Sequence, residues 1–537
     1  MDLGETSPLL SGTPTPTIND SDTESYYPRD SRANIQWLVP VAIATGLCNA
    51  LTIYSRNLFF RQFFCEELGR LPDTPDPTLQ SFTTTGIRLD CSPYPSGMTI
   101  SVAPILVTCV LSGLSTGWWS ALGDLHGRRY PLIASIVGSI LLNLVCVVFA
   151  TTPALENLAQ PFIFAGIVFE ALLGGSATFN GALHAYAADV SPAGSWSTVF
   201  SVLRGLLVLC TVLGNWIGFG TDFIRPFFSF SLALAIGSVN LVFVFFFLPE
   251  SLPESSEAPA KLALADVKQS MYSVVTLFLN GHRLAFFGLA CLFYSLTMNL
   301  ESFQLLFVLH RDPAMPFSAG LFMTLGVLLK IAALLVIFPA IIHTLKQRSP
   351  LSQSTSTKPY LLSVITIDSS AARYSVLASL LSQLLVMICP EGLPMMFSLL
   401  ITPLVAGIRP ALYAVTAVYS EVLGRTPQRG VQFGALSVIS MVGETLSYLM
   451  YVPAYNTLWR FFPQGGFMLT AALLALVAIF LWPSESERIP PRDGAAERIR
   501  IIVSDDVLGH DAETAVFSPV YRRHNSMAPH STDGLTV

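Results

Sequence analysis

The sequence predicts an all-α membrane protein with twelve transmembrane helices in two six-helix halves and both termini cytoplasmic, and three observations carry that expectation. Of 537 residues, 52% are hydrophobic and 12% charged, with a mean hydropathy of +0.58, whereas soluble domains carry about 25% charged residues. Apolar runs long enough to cross roughly 30 Å of hydrocarbon follow one another almost from end to end. Basic residues gather in alternate connecting segments that share a side with both tails, as positive-inside sorting requires of cytoplasmic loops.

Taken in order, the apolar runs place spans near 37–57, 97–119, 131–151, 161–185, 197–220 and 226–248, then near 284–309, 317–342, 374–390, 394–420, 431–452 and 464–482. The expected organisation is a disordered cytoplasmic tail over 1–34, a six-helix half over 35–248, a cytoplasmic linker over 249–282, a second half over 283–483 and a disordered tail over 484–537. Both tails are polar and poor in aromatic residues, the composition of chains that cannot bury enough apolar surface to fold. Residues 1–34 hold no apolar core, so no cleavable signal peptide is expected and the first span targets the chain.

The net charge of -6 does not suggest nucleic acid as a partner. The eight cysteines divide into two groups. Cys48, Cys109, Cys146, Cys210, Cys291 and Cys389 lie inside apolar runs and read as small core residues. Cys65 and Cys91 bracket the polar segment between the first two spans; facing an oxidising compartment they can form a disulfide, and otherwise they are two thiols. The histidines form no His-x-x-His or His-x-x-x-His pair, and no phosphate-binding Gly-Lys-Ser or Gly-Lys-Thr occurs, so neither a metal nor another cofactor is expected.

Between the second and third spans stands Ser120-Ala121-Leu122-Gly123-Asp124-Leu125-His126-Gly127-Arg128-Arg129. It resembles the cytoplasmic loop signature of the major facilitator superfamily, Gly-x-Leu-Ala-Asp-basic-x-Gly-basic-basic, with Ser120 in place of the first Gly and Leu125 in place of the first basic residue. Gly127 permits a tight turn, Arg128 and Arg129 anchor at the headgroups, and Asp124 can meet helix N-terminal amides or a basic neighbour. The resemblance implies that these four residues latch one of two alternating states.

In the fifth span Gly205, Gly214 and Gly218 are similar to the first part of a proton-antiporter glycine motif. The chain reads Gly218-Phe219-Gly220-Thr221-Asp222-Phe223 where that motif has Gly-Pro-x-x-Gly-Gly, and small residues at this spacing equally let helices approach closely. Ala187-Ala188-Asp189-Val190-Ser191-Pro192, Arg409, and Gln428-Arg429-Gly430-Val431-Gln432-Phe433-Gly434 resemble the tetracycline-exporter and proton-coupled folate transporter branches of the superfamily. One branch exports and the other imports, so direction stays open. Glu170 stands where many members carry Arg.

Six charges fall inside the predicted spans: Glu170, Arg204, Glu301, Lys330, Arg409 and Glu444. A mid-bilayer charge costs at least about 2.5–3.5 kcal/mol on insertion scales, so each needs a partner or a wet cavity. Spans three, six, nine and twelve, which the superfamily fold packs on the outside, carry no interior charge in this reading. All of the six except Lys330 share a helix face with small or polar residues. The glutamates are candidate proton carriers and the basic residues candidate anion partners or charge compensators; static ion pairs holding helices together are the alternative for any one of them.

The resemblance implies a monomeric secondary transporter of a small organic solute, working by alternating access with proton coupling, with nutrient uptake and drug or metabolite efflux both open. The bilayer, the solute and protons are the expected partners. A solute sensor with a transporter fold and an intramembrane enzyme with a site assembled in three dimensions are the alternatives. Glu5-Thr6-Ser7-Pro8-Leu9-Leu10 resembles an acidic dileucine sorting signal, so the expected location is the plasma membrane or the vacuolar or lysosomal membrane.

Overall fold

A computed structural model describes residues 33–65, 96–152, 155–252, 282–301 with 303, 304 and 307, 316–348, 357–388, 392–404, 406–422, 429–458, 462 and 464–482. Nearly all of both tails, most of the linker, the dileucine segment and Cys91 lie outside the described residues, so the Cys65–Cys91 pairing does as well.

Helices α1 (Leu38–Cys65), α2 (Ser96–His126), α3 (Arg129–Thr151), α4 (Glu156–Leu172), α5 (Gly175–Val190), α6 (Trp196–Ile224) and α7 (Phe228–Phe246) pack mainly on one another. A second group comprises α8 (His282–Ser295), α9 (Pro316–Ala332), α10 (Phe338–Arg348), α11 (Thr357–Ile388), α12 (Gly392–Leu404), α13 (Ile408–Val422), α14 (Arg429–Leu458) and α15 (Gly465–Phe480). No strand occurs among the described residues. In lipid a helix satisfies its own backbone groups, which is why these apolar runs adopt no other form.

Ten helical stretches among the described residues are long and apolar enough to cross a membrane, and α8 and α15 are shorter apolar helices. Their outward faces are apolar too: Val239, Phe246 and Ile479 are 70%, 71% and 65% exposed. An apolar exterior of this extent belongs against acyl chains.

Two spans are broken in the middle. Helices α4 and α5 form one stretch, Leu158–Val190, interrupted where Gly174 and Gly175 take φ of +96° and +51°. A side chain at Gly174 would lie 2.1 Å from Thr178 Oγ1. Side chains of α2 bond the carbonyls at the break: Ser112 Oγ donates to Gly174 O at 2.6 Å, Ser115 Oγ to Ala171 O at 2.7 Å and Trp119 Nε1 to Leu172 O at 3.0 Å. The second break lies between α12 and α13 near Gly407, where a Cβ would collide with the Phe338 ring at 2.1 Å.

The glycines of the fifth span serve packing. A Cβ on Gly218 would stand 2.3 Å from Leu51 O, and one on Gly214 would stand 2.5 Å from Ala50 Cβ, so α1 and α6 touch backbone to backbone. Gly205 lies against Leu334 and Leu335 in the π turn Ala333–Ile337 that joins α9 to α10, and Ser201 Oγ donates to Leu334 O at 2.7 Å.

The expected boundary that moves most is the start of the predicted ninth span. The span predicted over 374–390 is helix Thr357–Ile388, and its membrane-compatible stretch begins at Ser363. The polar residues that hid this start are paired inside the protein: Asp368 is 0% exposed against Lys346, and Arg373 Nε donates to Leu481 O at 2.5 Å. The ninth span therefore does carry an interior charge.

Gly218→Val is expected to lower stability by about 1–3 kcal/mol through overpacking of the α1–α6 contact. Thermal unfolding of the detergent-solubilised protein measures it, and Gly220→Val, with nothing near its Cβ position, is the control that should change little.

Candidate functional site

The loop between α2 and α3 closes one end of the molecule. Gly127 has φ of +112°, and a side chain there would meet Glu250 Oε2 at 2.4 Å, so glycine is required twice over. The turn aims the Arg128 amide at Glu250 Oε1, 2.7 Å away. The Arg128 side chain, 2% exposed, donates to Asp124 at 2.5 Å and through Nε to Asp189 at 2.9 Å. Burial works against its charge, yet Asp124 and Asp189 outweigh burial and hold its proton more firmly than in water. Arg129 instead donates to Val244 O and Phe245 O, free carbonyls at the end of α7.

Asp124 also joins the two helix groups. Its oxygens accept from the amides of Gly430 at 2.8 Å and Val431 at 2.9 Å, the first turn of α14, where orphan N–H groups favour an anion. Any Cβ on Gly430 would be 2.1 Å from the Arg128 guanidinium. Arg429 reaches Asp189 at 3.3 Å and Glu421 at 3.5 Å and stacks over Trp196. Deeper in, Gly181 and Gly434 bring α5 and α14 together: a Cβ on the first would lie 2.9 Å from the second's Cα.

A second polar junction lies at the same end. Lys346 Nζ donates to Gly194 O at 2.9 Å and Ser197 Oγ at 3.0 Å and pairs with Asp368 at 3.0 Å, while Ser197 Oγ donates to Asp368 Oδ1 at 3.0 Å. It ties α10 and α11 to the start of α6. The sequence reading placed Lys346 in a loop and missed Asp368 because polar neighbours depress the local hydropathy.

Of the six charges predicted inside the spans, all but Arg204 form an ion pair among the described residues. Arg409 meets Glu444 at 2.6 Å and Lys330 meets Glu301, so Lys330 is not isolated. Glu170 faces Arg56 at 3.7 Å, a residue at the margin of the predicted first span and outside the six charges counted there, which ends the stretch Ile35–Arg56. Among the six predicted charges and Arg56, four cations thus face three carboxylates, and Arg204 is the one without an ion-pair partner among the described residues.

Three adjoining cavities hold these groups. A central one of about 90 Å³ is lined by Ser176, Arg204, Arg409, Tyr413, Ser440 and Glu444 among others. It shares Ser176 and Met441 with a larger cavity of about 360 Å³ that holds Arg56 and Glu170. It shares Arg204 and Arg409 with a third, of about 60 Å³, that holds Glu301 and Lys330. The large cavity pairs polar Thr45, Asn49 and Ser139 with an apolar wall including Ile53, Ile105 and Phe179.

Both span breaks direct a helix start toward the centre. Ser176 and Ala177 open α5, Arg409 and Pro410 open α13, and all four line the central cavity. Unpaired amides at a helix start carry partial positive charge, so two of them beside Arg204 and Arg409 make a site that attracts an anion.

A model of the Major Facilitator Superfamily matches residues 45–356. The chain is 26% identical over 394 residues, 69% of this chain and 77% of the relative, to the lysosomal proton-coupled steroid conjugate and bile acid symporter SLC46A3 of Pongo abelii. It is 29% identical over 182 residues, 32% of this chain and 38% of the relative, to the Rattus norvegicus protein of that description. Among solved structures the human organic anion transporter MFSD10 (TETRAN) aligns with a TM-score of 0.61 at 17% identity, over 84% of this chain and 99% of that one. The Escherichia coli fucose:proton symporter FucP aligns with a TM-score of 0.54 at 11% identity, over 83% and 97%. At these identities the two structures share the fold.

Arg128→Ala strands two buried carboxylates, and breaking such a cluster costs about 3–5 kcal/mol. A matching fall in thermal stability is expected, larger than for Arg129→Ala, whose partners are carbonyl groups. Melting curves of the two variants check the order.

Proposed function

Because the chain belongs to the major facilitator superfamily, we propose that it is a proton-coupled symporter of amphipathic organic anions, acting by alternating access. The observation that carries this reading is the unmatched positive charge at Arg204, in a cavity that also receives two helix starts. A permanently unpaired guanidinium in a membrane interior is costly. An incoming carboxylate or sulfonate supplies the missing partner. The apolar wall of the adjoining cavity suits a hydrophobic body, as in the bile acids and steroid conjugates carried by the lysosomal relatives.

In this mechanism the anion sits between Arg204 and Arg409. Glu444 holds Arg409 when ionised and releases it when protonated, so proton and anion bind together and travel together. Glu170 with Arg56 and Glu301 with Lys330 repeat the carboxylate–base arrangement on either side and balance charge as the helices move. The Asp124, Gly127, Arg128 and Arg129 loop and the Lys346–Asp368 junction latch the cytoplasmic end, which is shut in this conformation. The reading carries with it twelve spans, both tails cytoplasmic, a monomer, and a lysosomal or vacuolar membrane, in keeping with the dileucine segment and the relatives' location. Flux then runs down the proton gradient into the cytoplasm.

Uptake of taurocholate and of estrone sulfate into proteoliposomes, with and without an imposed pH gradient, tests the proposal. Arg204→Ala is expected to lower kcat/KM by about 10–100-fold, the loss of a charge-assisted contact of about 1.5–3 kcal/mol. Glu444→Gln is expected to abolish the dependence on the pH gradient. Gradient-independent uptake by the unaltered protein, or uptake indifferent to Arg204→Ala, would refute it.

A further inference from the structure

The central cavity contains a group that the charge argument leaves unused. His184 lies on α5 among the cavity-lining residues, two turns beyond Ser176. Its Nδ1 stands 2.7 Å from Asn180 O. A carbonyl oxygen has no proton to give, so Nδ1 carries the hydrogen, and the neutral ring keeps Nε2 as a bare acceptor. Among the described residues the imidazole makes no other hydrogen bond.

The ring is held among aromatic neighbours. It packs against Phe200 at 5.1 Å, Tyr413 at 4.9 Å and Phe433 at 6.1 Å between centroids, in a cluster drawn from α5, α6, α13 and α14. Phe200 and Phe433 are fully buried, and Tyr413 is committed through its hydroxyl to Ser440 at 3.0 Å. The cavity's other charged groups facing this ring are the guanidinium groups of Arg204 and Arg409, which only donate, and Glu444, which holds Arg409. His184 thus supplies a fixed neutral acceptor beside a cationic anion site.

We propose that His184 is a specificity residue: its Nε2 accepts a hydrogen bond from an N–H or O–H group lying a few atoms from the anionic group of the transported solute. The inference rests on the organic-anion reading above and narrows it to anions that carry a donor near the charge, the pattern of an acyl-amino acid or a hydroxy acid. A solute lacking that donor would leave a buried acceptor unpaired, the situation in which a site discriminates most strongly.

The probe pair is glycocholate and cholylsarcosine, which share charge and ring system but differ by an amide N–H replaced with N-methyl. Uptake of each into proteoliposomes is measured for the unaltered protein and for His184→Phe, His184→Met and His184→Gln. The unaltered protein is expected to favour glycocholate by about tenfold or more in kcat/KM, one hydrogen bond's worth. Phe and Met remove the acceptor by different routes and should bring the ratio close to one, and Gln, which keeps an acceptor oxygen, should preserve part of it. No preference in the unaltered protein overturns the proposal. So does an unchanged preference in whichever acceptor-free variant folds, because steric exclusion of the N-methyl group would survive the substitution. If neither anion is carried while the protein is folded, the organic-anion reading falls first and this inference with it.

Discussion

The arrangement of this protein follows from the expense of holding charge in a medium that solvates it poorly. Arg128 is 2% exposed and stands between Asp124 and Asp189, and the cluster extends to the first amides of α14. A buried guanidinium without those carboxylates would be strongly unfavourable, and the carboxylates without it equally so. The cluster therefore holds together α2, α5 and α14, which belong to different helix groups. Gly127, Gly430, Gly181 and Gly434 are small because the backbones must come close enough for these contacts to form.

The same constraint organises the middle of the molecule. Three glutamates each face a basic side chain, and the pairs differ in closeness: Lys330–Glu301 and Arg409–Glu444, the latter at 2.6 Å, are tight, whereas Arg56–Glu170 at 3.7 Å is loose. A tight pair holds until one partner changes charge, whereas a loose one yields more readily to a competing ligand. On the proposed reading, the excess at Arg204 keeps the resting site incomplete, and solute completes it. Carboxylates in pairs rather than alone give protonation a mechanical consequence, since neutralising one frees a cation.

The breaks in two spans serve that centre. An unbroken helix presents side chains to a cavity but keeps its amides inside. Interrupting α4–α5 at Gly174 and α12–α13 before Ile408 turns helix starts inward toward the central cavity. The first break is braced by Ser112, Ser115 and Trp119 on α2, which donate to the carbonyls beside it. Those three polar side chains in a lipid-embedded helix are explained by the break opposite them.

Much of this was legible from residues alone. Hydropathy marks spans because hydrocarbon tolerates little else, and the Asp124–Arg129 loop announces itself because a turn glycine, an acid and two bases recur at short sequence distance. Five of the six intramembrane charges were recognisable as members of a polar face. Pairing was not legible: Lys330 appeared isolated and finds Glu301 on another helix. Arg56 sits at the margin of its apolar run and was not counted among the interior charges, and Asp368 was lost because its polar neighbours hide the start of α11. Local composition thus determined which segments enter the membrane and which side chains are too costly to be idle. Only tertiary packing decided which charges neutralise one another and which is left over, because partners on different helices are brought within a few ångström by contacts between backbones that no local pattern encodes.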